Sequence, residues 1–127
     1  MDVADVKSAL ILFGHGARDA EWALPFQKIR HAIVVKHPSL TVELAFLELM
    51  EPPLPDAIAG LVTGGHQCIT IAPLFIAPGG HLKNDLPKIL SAIRAEHPGI
   101  EITLLPALGE IDAVVAMIAD WLSGAVK

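Results

Sequence analysis

The sequence predicts an α/β fold: a four-stranded parallel sheet covered by helices on both faces, in three α/β/α layers. Short apolar runs alternate with stretches of helical period, and the runs are apolar almost without interruption, as strands buried on both sides must be. The chain is 127 residues long and 53% hydrophobic, with a mean hydropathy of +0.55. That is the length of about one domain, taken as 1–127, with enough apolar surface for a core that needs no disulfides.

Ala9 to Phe13 reads as the first buried strand. Trp22, Phe26, Ile29 and Ile33 then follow at spacings of four, three and four, one face of a helix. Asp19 and Glu21 stand near its start and Lys36 and His37 near its end, where the helix dipole favours them. His37-Pro38 stops it, because a residue before proline avoids the helical region. Val42 to Leu47 is a second strand. Pro52-Pro53-Leu54-Pro55 breaks the chain, Asp56 is an N-cap or first-turn acid, and Ile58, Leu61 and Val62 form a short helix ended by Gly64-Gly65. Cys68 to Ile76 is the third strand, in which Pro73 removes a ladder donor and predicts a bulge or an unpaired position. Leu86, Ile89, Leu90 and Ile93 share one face of a helix that His97-Pro98-Gly99 ends. Ile102 to Leu105 is the fourth strand, and Ile111, Val114, Val115, Ile118 and Leu122 mark the last helix.

Charge and composition exclude several functions. The formal net charge is -5 and no Lys/Arg cluster exists, which argues against nucleic acid and against an anionic membrane surface as partners. Aromatic residues are 5% with no Tyr, so neither a base-stacking platform nor an aromatic cage is available. The acidic start, Met1 to Lys7, is unlike a secretory leader, and no apolar stretch reaches spanning length. A lone Cys68 suits a reducing compartment, so the expected location is the cytoplasm.

Two histidines, each embedded in glycine after an apolar run, carry the chemistry: Gly14-His15-Gly16 and Gly79-Gly80-His81. A weak internal repeat, in which His37-Pro38-Ser39-Leu40-Thr41-Val42 matches His97-Pro98-Gly99-Ile100-Glu101-Ile102 sixty residues on, predicts that the two histidines occupy equivalent strand ends. The carboxyl ends of parallel strands are where open α/β sheets place their sites. Singly, each histidine reads more readily as a turn residue than as a ligand, and it is the pair that points to a site. The first turn lacks the third glycine of a dinucleotide fingerprint and the serine of a nucleophile elbow. Glu48 and Glu51 follow the second strand at the same edge, although a solvated loop before a proline break would place them there too. His31, His37, His66 and His97 read as surface or loop residues and Cys68 as packing. Two imidazoles with neighbouring carboxylates suit a divalent metal held in an open coordination sphere and handed on. Such groups also accept protons near neutral pH, which metal insertion into a pyrrole macrocycle requires because two N–H protons leave.

At these residues the chain resembles the class II chelatases, in particular the short CbiX-type sirohydrochlorin chelatases. The likeness runs from Ala9 to about Leu122. It rests on Gly14 to Arg18, on Leu47 through Glu51-Pro52, and on Pro73 to His81 followed by Asp85-Leu86-Pro87. The resemblance implies a flavodoxin-like half in a homodimer, and insertion of Co2+, or alternatively Fe2+ or Ni2+, into sirohydrochlorin in cobalamin biosynthesis. It implies that His15 and His81 bind the metal substrate with His15 taking a pyrrole proton, that Glu48 assists as a neighbouring acid, and that no cofactor is permanently bound. Glu51 and the loop Ile76, Ala77, Pro78, Gly79, Gly80 and His81 would contact the tetrapyrrole. Arg18 and Lys83, just beyond the two histidines, are expected to pair with the substrate's carboxylate arms. Two positions depart from the family: Ala17 replaces a usual Ser, and Pro78 stands where some relatives carry a further His. A shared metal would place the two imidazoles on the order of 4 to 7 Å apart. A non-catalytic metal or tetrapyrrole carrier is the alternative from another class. Phosphoryl transfer through His15 is disfavoured, because Gly14 stands where an Arg would be needed to hold phosphate.

Overall fold

A computed structural model describes residues 6–77 and 79–127, with His81 described by its backbone alone. The elements run β1 (Ser8–Gly14), α1 (Leu24–Lys36), β2 (Thr41–Phe46), α2 (Leu54–Thr63), β3 (Cys68–Pro73), α3 (Gly80–Glu96), β4 (Glu101–Leu104) and α4 (Asp112–Ala125). Single tighter turns at Ala20–Ala23 and Leu108–Glu110 precede α1 and α4. The sheet is parallel throughout, in the order β2-β1-β3-β4. Chain direction therefore diverges between β1 and β3: one crossover leaves towards β2 and the other towards β4. At such a reversal the loops after the two central strands part and leave a crevice at the carboxyl edge.

Alternation along the strands sorts the side chains onto two faces. Ala9, Ile11 and Phe13 of β1 and Ile69 and Ile71 of β3 pack with Ile58 and Leu61 of α2 and with Leu86, Leu90 and Ile93 of α3 in one core. On the reverse face lie Leu12, Val42 and Phe46, all buried. Trp22 reaches Phe46 there with ring centroids 6.3 Å apart. Ile71 is wholly enclosed at 0% exposure. Ile71→Ala is expected to cost about 3 kcal/mol, read from the urea midpoint at unchanged slope.

The repeat seen in the sequence is present in the backbone. His37 and His97 each cap the helix they end, donating N–H to Ile33 O at 2.8 Å and Ile93 O at 3.1 Å. Their carbonyls accept from Leu40 N and Ile100 N, each at 3.1 Å. Arg30 Nε on α1 donates to Val42 O at 2.6 Å, and Arg94 Nη2 on α3 donates to Ile102 O at 3.1 Å.

Several sequence expectations are corrected. β3 ends at Pro73 rather than Ile76. Pro73 makes no bulge: it pairs with Phe13 as the last residue of the ladder, where a missing donor costs little, and Leu74 N resumes with Phe13 O at 2.9 Å. Trp22 lies in the turn before α1 rather than on the helix. Neither α1 nor α4 has a fully buried residue, so their apolar stripes serve only partly as core; Ile29, Val115 and Leu122 are exposed. His66 lies in the loop before β3, as expected, but it is buried there rather than on the surface and links α2 to β2. Its Nδ1 lies 3.0 Å from Leu61 O, and its Nε2 lies 3.1 Å from Thr41 Oγ1. A carbonyl only accepts, so Nδ1 carries the proton and Nε2 takes the threonine hydroxyl's. Cys68 opens β3 as a packing residue, its thiol donating to Glu101 Oε2 at 3.4 Å. That hydrogen bond, then desolvation and the Glu101 charge, raises the thiol's pKa.

Candidate functional site at the carboxyl edge of the sheet

The backbone ladder between β1 and β2 continues past both strands. Leu47 N donates to Gly14 O at 2.9 Å and Glu48 N to His15 O at 3.1 Å. The loops are thereby zipped together, and the side chains of the last pair meet: His15 Nε2 lies 2.9 Å from Glu48 Oε1. Both side chains stay about half exposed, at 54% and 55%. An ionised carboxylate can only accept, so with neutral imidazole the bonded proton sits on Nε2 and the lone pair on Nδ1. Nδ1 is then the nitrogen that can take up a proton or a metal ion.

Two glycines make this approach possible. Gly16 has φ +97, and a Cβ there would stand 1.8 Å from Glu48 O, inside the partner loop's backbone. A Cβ on Gly14 would come within 3.0 Å of Trp22 and 3.2 Å of Phe26. These rings pack on each other at 4.7 Å and support the turn from beneath.

The loop after β3 is built differently. Phe75 packs edge-on against Phe13 at 5.8 Å. Phe75 O and Ile76 O accept from Leu108 N and Gly109 N, both at 2.8 Å. A Cβ on Gly109 would fall 2.3 Å from Ile76 O, so this second close approach also requires glycine. Sequence reading missed Gly109; its only signal was a glycine in the loop after the fourth strand. Ile76, Ala77, Gly79 and Gly80 are exposed, and Pro78 lies outside the described residues.

The expectation that His15 and His81 occupy equivalent strand ends is not met. His15 directly follows β1, whereas β3 ends at Pro73 and His81 sits in the first turn of α3. Phe13 pairs with Pro73, so the residue level with His15 is Phe75. The repeat holds through the strands and breaks in the loop, where the chain after β3 runs on to a glycine-opened helix. The His81 imidazole lies outside the described residues, and with it the predicted separation from His15. Arg18, Lys83 and Glu51 are exposed. Among the described residues no group of three or more His, Cys, Asp or Glu side chains is placed to hold a metal.

A parallel sheet of this strand order, with an imidazole–carboxylate pair beside the point where the order reverses, defines a flavodoxin-like α/β domain with a candidate site at the carboxyl edge. The CbiX family model matches residues 9–125, and the chain belongs to that family. It is 30% identical to a sirohydrochlorin cobaltochelatase of Methanococcus aeolicus over 91% of this chain and 98% of that one. A sirohydrochlorin cobaltochelatase of Methanococcus maripaludis is 31% identical over 72% of this chain and 63% of its own length. Among solved structures, a CbiX protein from Marinobacter aquaeolei VT8 superposes with a TM-score of 0.78 at 31% identity. That superposition covers 92% of this chain and 95% of the other. Among the described residues no helix is long and apolar enough to cross a membrane.

Proposed function

We propose that this chain is a sirohydrochlorin cobaltochelatase, which inserts Co2+ into the macrocycle as two pyrrole N–H protons depart. The observation that carries the reading is the His15–Glu48 pair at 2.9 Å in a chain of the CbiX family. In this reaction Glu48 holds the proton on His15 Nε2 and steadies the ring, leaving Nδ1 to receive a pyrrole proton or to hand over the metal. The carboxylate also stabilises the imidazolium that forms. His81, brought to the same edge by the first turn of α3, is the second metal-delivering imidazole. The metal is a substrate, with no permanently bound cofactor, and two imidazoles leave most of its coordination sphere open for the macrocycle nitrogens. Glu51, the loop Ile76 to His81, Arg18 and Lys83 surround the tetrapyrrole.

Arg18 and Lys83 supply positive charge for a substrate rich in carboxylates, on a chain whose formal net charge is -5. Arg18→Ala is expected to raise the KM for tetrapyrrole about three- to tenfold at low salt and to flatten its dependence on ionic strength. A KM that tracks wild type from low to high salt would remove Arg18 from the site.

We further propose that the working form is a cytoplasmic homodimer. Its support is α4, where Val115, Met117, Trp121 and Leu122 are all exposed, with Trp121 at 70%. Sedimentation at micromolar concentration is expected to give twice the chain mass.

The test of the activity is direct. Purified protein is mixed with sirohydrochlorin and Co2+, and the macrocycle's visible absorption is followed against a protein-free control. Acceleration that is lost in a His15→Ala/His81→Ala double variant supports the chelatase. Binding without acceleration would identify a carrier instead, and faster turnover with Fe2+ or Ni2+ would move the assignment to that metal.

A further inference from the structure

Leu49 follows Glu48, and nothing among the described residues accounts for its backbone. Its φ is +65, in the left-handed region that bulky side chains rarely occupy. Met50 N donates to Glu48 O at 2.8 Å across it, closing a three-residue γ-turn of the strained kind. Asparagine or glycine would adopt this backbone at less cost. Burial does not offset the strain, since Leu49 is 59% exposed. The turn is nonetheless held firmly, because the Glu48 N to His15 O bond ties its first residue to the loop after β1. An apolar side chain that is strained, exposed and fixed one residue from the imidazole–carboxylate pair has the character of a ligand contact. It is also not alone at this edge. Ile76 in the loop after β3 is 64% exposed, and Leu105 after β4 is 38% exposed.

We propose that Leu49 is a substrate-positioning residue, an apolar contact for the flat face of the tetrapyrrole. The inference rests on the chelatase reading and names the part of the substrate it touches. A tetrapyrrole is charged at its rim and apolar over its faces. Arg18 and Lys83 serve the rim, while Leu49 covers a face beside His15 and adds to the binding of the macrocycle.

Leu49→Gly, Leu49→Asn and Leu49→Met separate this role from a structural one. Thermal unfolding and titration of metal-free sirohydrochlorin, followed by its absorption, are measured on each. Leu49→Gly and Leu49→Asn are expected to unfold at the wild-type temperature or above it, because strain is relieved, yet to weaken binding five- to twentyfold. Leu49→Met, apolar and of similar volume, is expected to stay within about threefold of wild type. During turnover the Gly and Asn losses should fall on KM, with kcat within about twofold. Wild-type binding by the Gly and Asn variants would overturn the proposal while leaving the chelatase reading intact. Absence of saturable binding by the wild-type protein would overturn the chelatase reading, and this inference with it.

Discussion

His15→Ala is expected to lower kcat/KM for cobalt insertion by at least about 100-fold, the range lost when a positioned proton acceptor is removed. The expectation follows from what the side chain does and does not touch. Its side chain is 54% exposed, and among the described residues its one side-chain partner is Glu48, so its loss leaves the core intact and the far-ultraviolet circular dichroism unchanged. In the proposed mechanism, its removal would leave the pyrrole proton to pass to water and Glu48 with no imidazolium to stabilise. Stopped-flow absorption of the macrocycle at saturating Co2+ reads the chemical step. A rate within tenfold of wild type would show that His15 is a turn residue, the bland possibility its glycine neighbours always allowed.

Gly16→Ala carries the largest expected loss of stability. A left-handed alanine costs about 1–2 kcal/mol by itself. Here the new Cβ would also stand 1.8 Å from Glu48 O, a backbone atom that moves only if the whole loop moves. Together these predict a loss of roughly 3 kcal/mol or more, seen in the urea midpoint, and a fall in activity because Glu48 leaves His15. Gly60→Ala is the matching control: it lies within α2 with nothing inside 4 Å of a Cβ, and should stabilise by about 0.5–1 kcal/mol. Equal effects of the two substitutions would contradict the close packing of the loops.

Much of this architecture was legible from period and punctuation. The apolar runs of β1 to β4 and the breaks at His37-Pro38, Pro52-Pro53, Gly64-Gly65 and His97-Pro98 located every element to within a few residues, because those signals are local. The stripes of α1 and α4 showed only that these helices have an apolar side, and the extent of its burial depends on neighbours that no local window contains. The equivalence of His15 and His81 failed for a related reason. Glycine next to histidine looks the same at a strand end and at a helix start, and only the ladder register shows that Phe75 stands level with His15. Glu48 was found by its position after β2, but its contact with His15 depends on Gly16 admitting the Glu48 carbonyl, a tertiary fact. Leu49 had no sequence signal, since neither its backbone angle nor its exposure can be read from Glu48-Leu49-Met50-Glu51.

The two arginines on the crossover helices have a wider effect than their single bonds suggest. β2 and β4 are the outermost strands, and in each a carbonyl that a strand from another molecule could seek already holds a guanidinium, from Arg30 on Val42 O and from Arg94 on Ile102 O. A more than half hydrophobic chain with two open sheet borders would otherwise be prone to growth by strand addition. With a guanidinium on each border, lengthening of the sheet into a ribbon by strand addition is disfavoured.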